Sequence, residues 1–160
     1  MTTKADFTEE EWTRLGRSPL VAGMAITLAD PGGPIEALKE TSAALKTVLD
    51  AAQTGKHGEF VQALASDVAA KAQNRENPLA GFKPKGTQAS AEVIDELRKV
   101  NQLLVEKTTP EETEQFREWL KEAAQQTALA AKEGGFLGFR AVRVSEGEQE
   151  MLDRLAEVFS

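Results

Sequence analysis

The sequence predicts an all-α fold, a single-domain bundle of six to seven helices covering residues 1–160. Three observations predict it. Helix-start signals recur: Thr8-x-x-Glu11, Thr109-Pro110-x-Glu112 and Ser145-x-x-Glu148 each carry the hydroxyl and the carboxylate of a capping box. Between them, apolar residues return at steps of three and four, the spacing of one helical face. Sustained period-two alternation is confined to the four residues of "AVRV" at 141–144.

Taken in order, Thr8, preceded by Phe7, starts the first helix. Ser18-Pro19 reads as a cap followed by proline at the first helical position, so a second helix is expected over Pro19–Ala29. That segment carries no charge and belongs at the centre of the bundle. "DPGG" at 30–33 stops it, and Pro34 opens a long helix to about Thr54. Its expected inward stripe is Ile35, Leu38, Ser42, Leu45, Leu49 and Ala52. "TGKHG" at 54–58 breaks the chain. A further helix runs from Glu59 to about Gln73, with Phe60, Val61, Leu64 and Val68 inward. "NRENPLAGFKPKGTQ", 74–88, holds two prolines and two glycines and reads as a mobile connector with room for a short helical turn. Ser90 or Ala91 begins the next helix, with Val93, Leu97, Val100 and Leu104 on one face. Pro110 begins another, reaching about Lys132 through Phe116, Leu120, Ala123, Thr127 and Ala130. Ser145 caps the last, which carries Met151, Leu152, Leu155, Val158 and Phe159.

"LADPGG" and "AAKEGG" each end a helical run about 25 residues after a capping threonine, Thr8 and Thr109. The chain therefore divides into a first half, 7–73, the connector 74–88, and a second half, 89–160. The pattern admits two pseudo-symmetric halves, and equally the general likeness of capped helices that end in glycine.

Composition limits the chemistry. The chain is 41% hydrophobic and 28% charged, enough for a core and a soluble surface. A net charge of -7 disfavours nucleic acid and anionic membranes as partners, since both need clustered Lys and Arg. No cysteine is present, which excludes disulfides, thiol catalysis and zinc–thiolate sites. "MTTKADFTEEEW" lacks the apolar run of a signal peptide. The most apolar stretch, "PLVAGMAITLA", has 11 residues and is too short to cross a bilayer. The expected location is the cytoplasm.

The acid–base inventory is small. His57 is the single histidine, tyrosine is absent, and a Ser-His-Asp triad would have to use His57. His57 sits in a glycine-rich turn, where an exposed histidine is common. "TGKHG" lacks the first glycine of a phosphate loop, with Asp50 at that position, and has His57 where Ser or Thr should meet magnesium. Di-iron bundles need two Glu-x-x-His motifs. Carboxylates are abundant, but Glu9–Glu11, Glu111, Glu112, Glu114, Glu146 and Glu148 lie in first helical turns, where they complement the helix dipole. A hard divalent cation is the remaining cofactor class, with Asp30, Glu36, Glu133 and Glu148 as its candidate ligands if the two halves face each other.

Two segments carry candidate interaction residues. In the connector, Lys83 and Lys85 flank Phe82, near Arg75. In "KEGGFLGFRAVRVSEGE", 132–148, Phe136 and Phe139 are costly to leave in water, and Arg140 and Arg143 then point outward. That stretch is either cover for the bundle or a surface for a protein partner or a second copy.

"FTEEEW", "SPLVAGMAITLADPGG" and "AAKEGGFLGFRAVRVSEGE" resemble a family of short, uncharacterised bacterial all-helical proteins, strongest at the two ends of the chain. More loosely, an acid-glycine turn followed by Ser-x-x-Glu resembles the TerB family of tellurite-resistance and stress proteins. That resemblance implies a pseudo-symmetric helical fold and an acidic metal site, with Asp30 and Glu133 as the turn acids and Ser145 and Glu148 as the following cap. Asp30 is followed by proline rather than glycine, and about ten residues separate Gly135 from Ser145 where that family has a short step.

Three functional expectations follow. The first is a non-enzymatic cytoplasmic interaction domain with a role in stress response. The second is a TerB-like divalent-cation-binding module. The third is an enzyme using carboxylate or lysine chemistry in a cleft of the bundle.

Overall fold

The computed structural model describes the backbone of residues 2–29, 34–133 and 145–160, and the side chains of all of these except 34–38 and 131–133. Six helices account for the described chain: α1 Glu9–Ala29, α2 Pro34–Thr54, α3 Gly58–Gln73, α4 Ala89–Lys107, α5 Pro110–Glu133 and α6 Glu146–Val158. Short 3-10 turns at Lys4–Asp6 and Gly86–Gln88 precede α1 and α4. Among the described residues there is no strand, and no helix is long and apolar enough to cross a membrane. "AVRV" lies outside the described residues.

The structure corrects the expected break at Ser18-Pro19. α1 runs unbroken through Pro19. Proline has no N–H, so the carbonyl of Leu15, four residues earlier, loses its helical partner. Ser18 Oγ donates to that carbonyl at 2.6 Å. The serine that reads as a cap in the sequence instead repairs the helix from within. All of this is buried, with Leu15 and Ser18 both at 0% exposure, so water cannot substitute.

α1 is the central element and packs on all five other helices. Its uncharged segment is core, as expected: Leu20, Val21, Ala22, Ala25 and Ile26 are buried. Glu11 meets Lys107 and Arg14 meets Glu96, so α1 and α4 are antiparallel. Thr2 meets Glu112, and Gly23 lies beside Thr127, so α1 and α5 run in the same direction. A Cβ on Gly23 would sit 2.8 Å from Thr127 Oγ1 and 3.1 Å from Ala44 Cβ, which shows how closely α1, α2 and α5 converge. The expected inward residues of α3 and α4 are buried; on α5 Phe116, Leu120, Ala123 and Thr127 are buried as expected, joined by Trp119, Ala124 and Ala128, while Ala130 is half-buried.

The buried face of α2 differs from the expected stripe. Ser42 is exposed and Leu45, Leu49 and Ala52 are half-buried, while Ala44, Thr47, Val48 and Ala51 are buried. Ile35 and Leu38 have side chains outside the described set. The reason is three-sided packing: α2 touches α5, α3 and α1. Small residues on its innermost line let three backbones approach, and the leucines fill the flanks.

The expected capping boxes at Thr8 and Thr109 form in both directions. Thr8 N–H donates to Glu11 Oε2 at 2.9 Å, and Glu11 N–H donates to Thr8 Oγ1 at 3.1 Å. The Thr109 and Glu112 pair repeats this at 3.0 and 3.1 Å. Phe7 packs on Trp12 with ring centroids 5.8 Å apart, a hydrophobic staple across the Thr8 cap. At the end of α2, Gly55 takes a positive φ of 63°, the left-handed conformation that closes a helix. Arg75 plays that part after α3 at φ 59°, with Glu76 N–H donating to Lys71 O at 2.9 Å. The connector is thus anchored by its own backbone bonds, and its Leu79 and Phe82 pack on the core.

Helices of the first and second halves share one core, with α1 packing on α4 and α5 across the connector. Among the described residues Val105, at 62% exposure, is the one large hydrophobic side chain left in solvent. Replacing Ser18 by Ala should orphan the Leu15 carbonyl and cost about 1–3 kcal/mol. Urea unfolding followed by circular dichroism measures this, and an unchanged midpoint would refute the repair role.

Candidate functional site

Helix direction brings the last turns of α1 and α5 and the first turn of α6 to one end of the bundle. α1 ends at Ala29, α5 ends at Glu133, and α6 begins beside them, since a Cβ on Gly147 would lie 2.8 Å from the Ala29 carbonyl oxygen. Asp30 and the side chains of Glu36 and Glu133 lie outside the described residues. Glu148 is described: it is 2% exposed, and its N–H donates to Ser145 Oγ at 3.2 Å, the expected third cap. Among the described residues no group of three histidine or carboxylate side chains could hold a metal ion.

Of the interaction candidates, Phe136, Phe139, Arg140 and Arg143 also lie outside the described residues. The connector set is described, and the structure divides it. Phe82 turns inward, its ring beneath the Arg17 guanidinium at 5.2 Å. Lys83 and Lys85 are exposed. The Lys85 N–H donates to Glu92 Oε2 at 3.2 Å, tying the connector to α4.

Beneath Phe82 lies an ionic cluster that sequence reading did not single out. Arg14 Nε and Arg17 Nη2 both donate to Glu96 Oε1, at 2.9 and 2.7 Å. The glutamate side chain is 7% exposed. Positions 14 and 17 share a helical face by their three-residue spacing, but only antiparallel docking of α4 puts Glu96 between them. A cavity of about 390 Å³ opens here between the connector and α4, walled by Phe82, Lys83, Glu92 and Lys99. Its charges are mixed, and Lys99 is paired with Asp95 at 3.1 Å.

A groove of about 730 Å³ lies between α2 and α5. Lys39, Ser42, Lys46 and Asp50 line it from α2, and Glu122, Gln126 and Leu129 from α5. At one end Glu122 receives Lys56 Nζ at 2.6 Å and pairs with His57 Nε2 at 2.6 Å. The expectation of an exposed turn histidine is therefore corrected: its side chain is 13% exposed and held against α5. The sequence contained no hint of this pairing, because 65 residues separate the partners. Lys39 and Lys46 are both exposed, and neither has an ion-pair partner among the described residues.

Burial pushes the Glu122 carboxyl upward, but the hydrogen bonds and charges of Lys56 and His57 outweigh it and hold the group below its ordinary value of 4.5. Glu112 behaves alike: burial raises it, and the Thr2 hydroxyl with the Thr2 and Thr109 N–H groups brings it below 4.5.

Comparison of the chain with protein-family models, curated proteins and solved structures gives no match. The site therefore stands on its own geometry.

Two outcomes follow. A carboxyl whose folded-state pKa is depressed stabilises the fold at neutral pH, and that contribution is lost as pH falls below 4.5 through the folded value. Wild type should therefore lose thermal stability more steeply than Glu122→Gln on acidification below 4.5, and parallel melting curves would contradict this. Glu96→Gln should leave two arginines without their shared charge and cost about 3 kcal/mol, the lower range for a broken buried pair because both arginines keep some solvent. Chemical denaturation checks it, and a loss under about 0.5 kcal/mol would place the cluster among ordinary surface pairs.

Proposed function

We propose that this chain is a non-enzymatic interaction module that takes an acidic segment of a partner protein into the groove between α2 and α5. The observation that carries this reading is the pair Lys39 and Lys46, exposed and without ion-pair partners among the described residues, along a groove of about 730 Å³. Seven residues separate them, two turns of helix, or about 10 Å along one wall. They stand out on a chain whose net charge is -7. Leu129, Ala43 and Ala130 supply an apolar floor, so short aliphatic side chains of the partner have a place between its carboxylates. Charge of this kind sets selectivity and association rate more than affinity. Two carboxylates, Asp50 and Glu122, line the groove, and Glu122 is occupied by Lys56 and His57 and so repels an acidic ligand less.

The probe is a fluorescent peptide of about 12 residues alternating glutamate with leucine, against its lysine-for-glutamate counterpart. Anisotropy titration should show saturable binding of the acidic peptide alone, weakened by added salt. Reversing both charges, Lys39→Glu with Lys46→Glu, should weaken it roughly tenfold, at up to about 1 kcal/mol per exposed pair with repulsion added. Equal binding by the doubly reversed protein would sink the reading.

A further inference from the structure

The groove between α2 and α5 has a counterpart on the same chain. α6 carries Glu146, Glu150, Asp153 and Glu157 at steps of four, three and four, so the four carboxylates form one row along the helix. All four are exposed, and none makes an ion pair among the described residues. Met151 and Leu155, on the opposite face of the helix, are buried, which fixes the row toward solvent. Glu146 and Asp153 stand seven residues apart, as do Glu150 and Glu157, a distance of about 10 Å along the axis. Lys39 and Lys46 stand at the same interval on α2. The row and the described lining of the groove share no residue, so one copy can present its row while its own groove receives another.

We infer that the partner taken by the groove is a second copy of this chain, which offers the acidic row of its α6; the inference rests on the acidic-segment reading given above. Equal spacing lets two carboxylates of the row meet Lys39 and Lys46 at once. The contact is head-to-tail, because row and groove are different surfaces of one molecule. It is also weak. The pairs are exposed, and two chains of net charge -7 repel each other at long range. Charge complementarity at this one place then decides the orientation in which two copies meet.

The test is sedimentation velocity of the full chain at concentrations up to about 1 mM, in about 0.1 M salt, which screens the net charge more than the contact itself. The average mass of the unaltered chain should rise with concentration above the 17.3 kDa of one copy. Glu150→Lys with Asp153→Lys should hold it at one copy, although this variant is less negative and so meets less general repulsion. Both positions are exposed and lie beyond the first turn of α6, so the helix keeps its cap and its dipole partners. Lys39→Glu with Lys46→Glu should also stay monomeric. Mixing the two variants should restore association, since each offers the charge that the other lacks. An unaltered chain that is monomeric at every concentration overturns the proposal, as does a mixture that stays monomeric or an α6 variant that still associates. Should a variant fail to fold, amide NMR of the unaltered chain decides: rising concentration should shift α2 and α6 together, and shifts confined to other helices overturn the pairing. The peptide titration separates the two readings. An acidic peptide that binds a chain which never self-associates leaves the groove reading standing and removes the second copy alone, whereas a chain that binds no acidic peptide removes both.

Discussion

The fold depends on the hydrogen bond from Ser18 Oγ to the Leu15 carbonyl. α1 passes through the middle of the bundle, and it contains a proline where no water can reach the carbonyl that proline abandons. An unsatisfied buried carbonyl costs about 1–3 kcal/mol, a sizeable share of the marginal stability of a domain. With Ser18 in place, α1 is one continuous rod of 21 residues. Its first turns hold Trp12 and Leu15 in the core and present Arg14 and Arg17 to Glu96, and its last turns place Gly23 against α2 and α5. A break at residue 18 would turn these two sets of contacts away from each other.

Around that rod, buried glutamates mark where helices are tied. Glu96 joins α4 to α1 through two arginines. Glu112 holds the N-terminal Thr2 at the start of α5. Glu40 joins α2 to α1 through Thr27. Each is polar specificity added to a core that is otherwise apolar, and each fixes which helix face meets which. On the outside, by contrast, large apolar side chains are nearly absent among the described residues.

Much of the fold was legible. Helix starts at Thr8, Pro110 and Ser145 were readable because a capping box is local: hydroxyl and carboxylate three residues apart satisfy each other's backbone whatever surrounds them. The ends at Ala29 and Thr54 were readable because proline and glycine act on their own dihedral angles. The error at Ser18-Pro19 has the same origin. Those two residues are good local punctuation for a helix start, and the alternative use of the serine hydroxyl pays off only when the segment is buried on every side.

The candidate sites were far less legible, since each joins residues distant in sequence. Glu122 meets His57 across 65 positions, and Arg14 meets Glu96 across 82. Phe82 and Lys83 were singled out from sequence as one interacting group, yet the ring is folded under Arg17 and the lysine faces solvent. The inward stripe of α2 was misjudged because periodicity gives the angular spread of a face, while the choice of its centre belongs to neighbouring helices. By itself, then, the sequence determined helix identity, helix ends and an all-α core, all consequences of backbone hydrogen bonding and local side-chain chemistry. Only the tertiary structure decided which side chains pair and where the grooves lie, because those depend on helix direction and crossing, which no local pattern encodes.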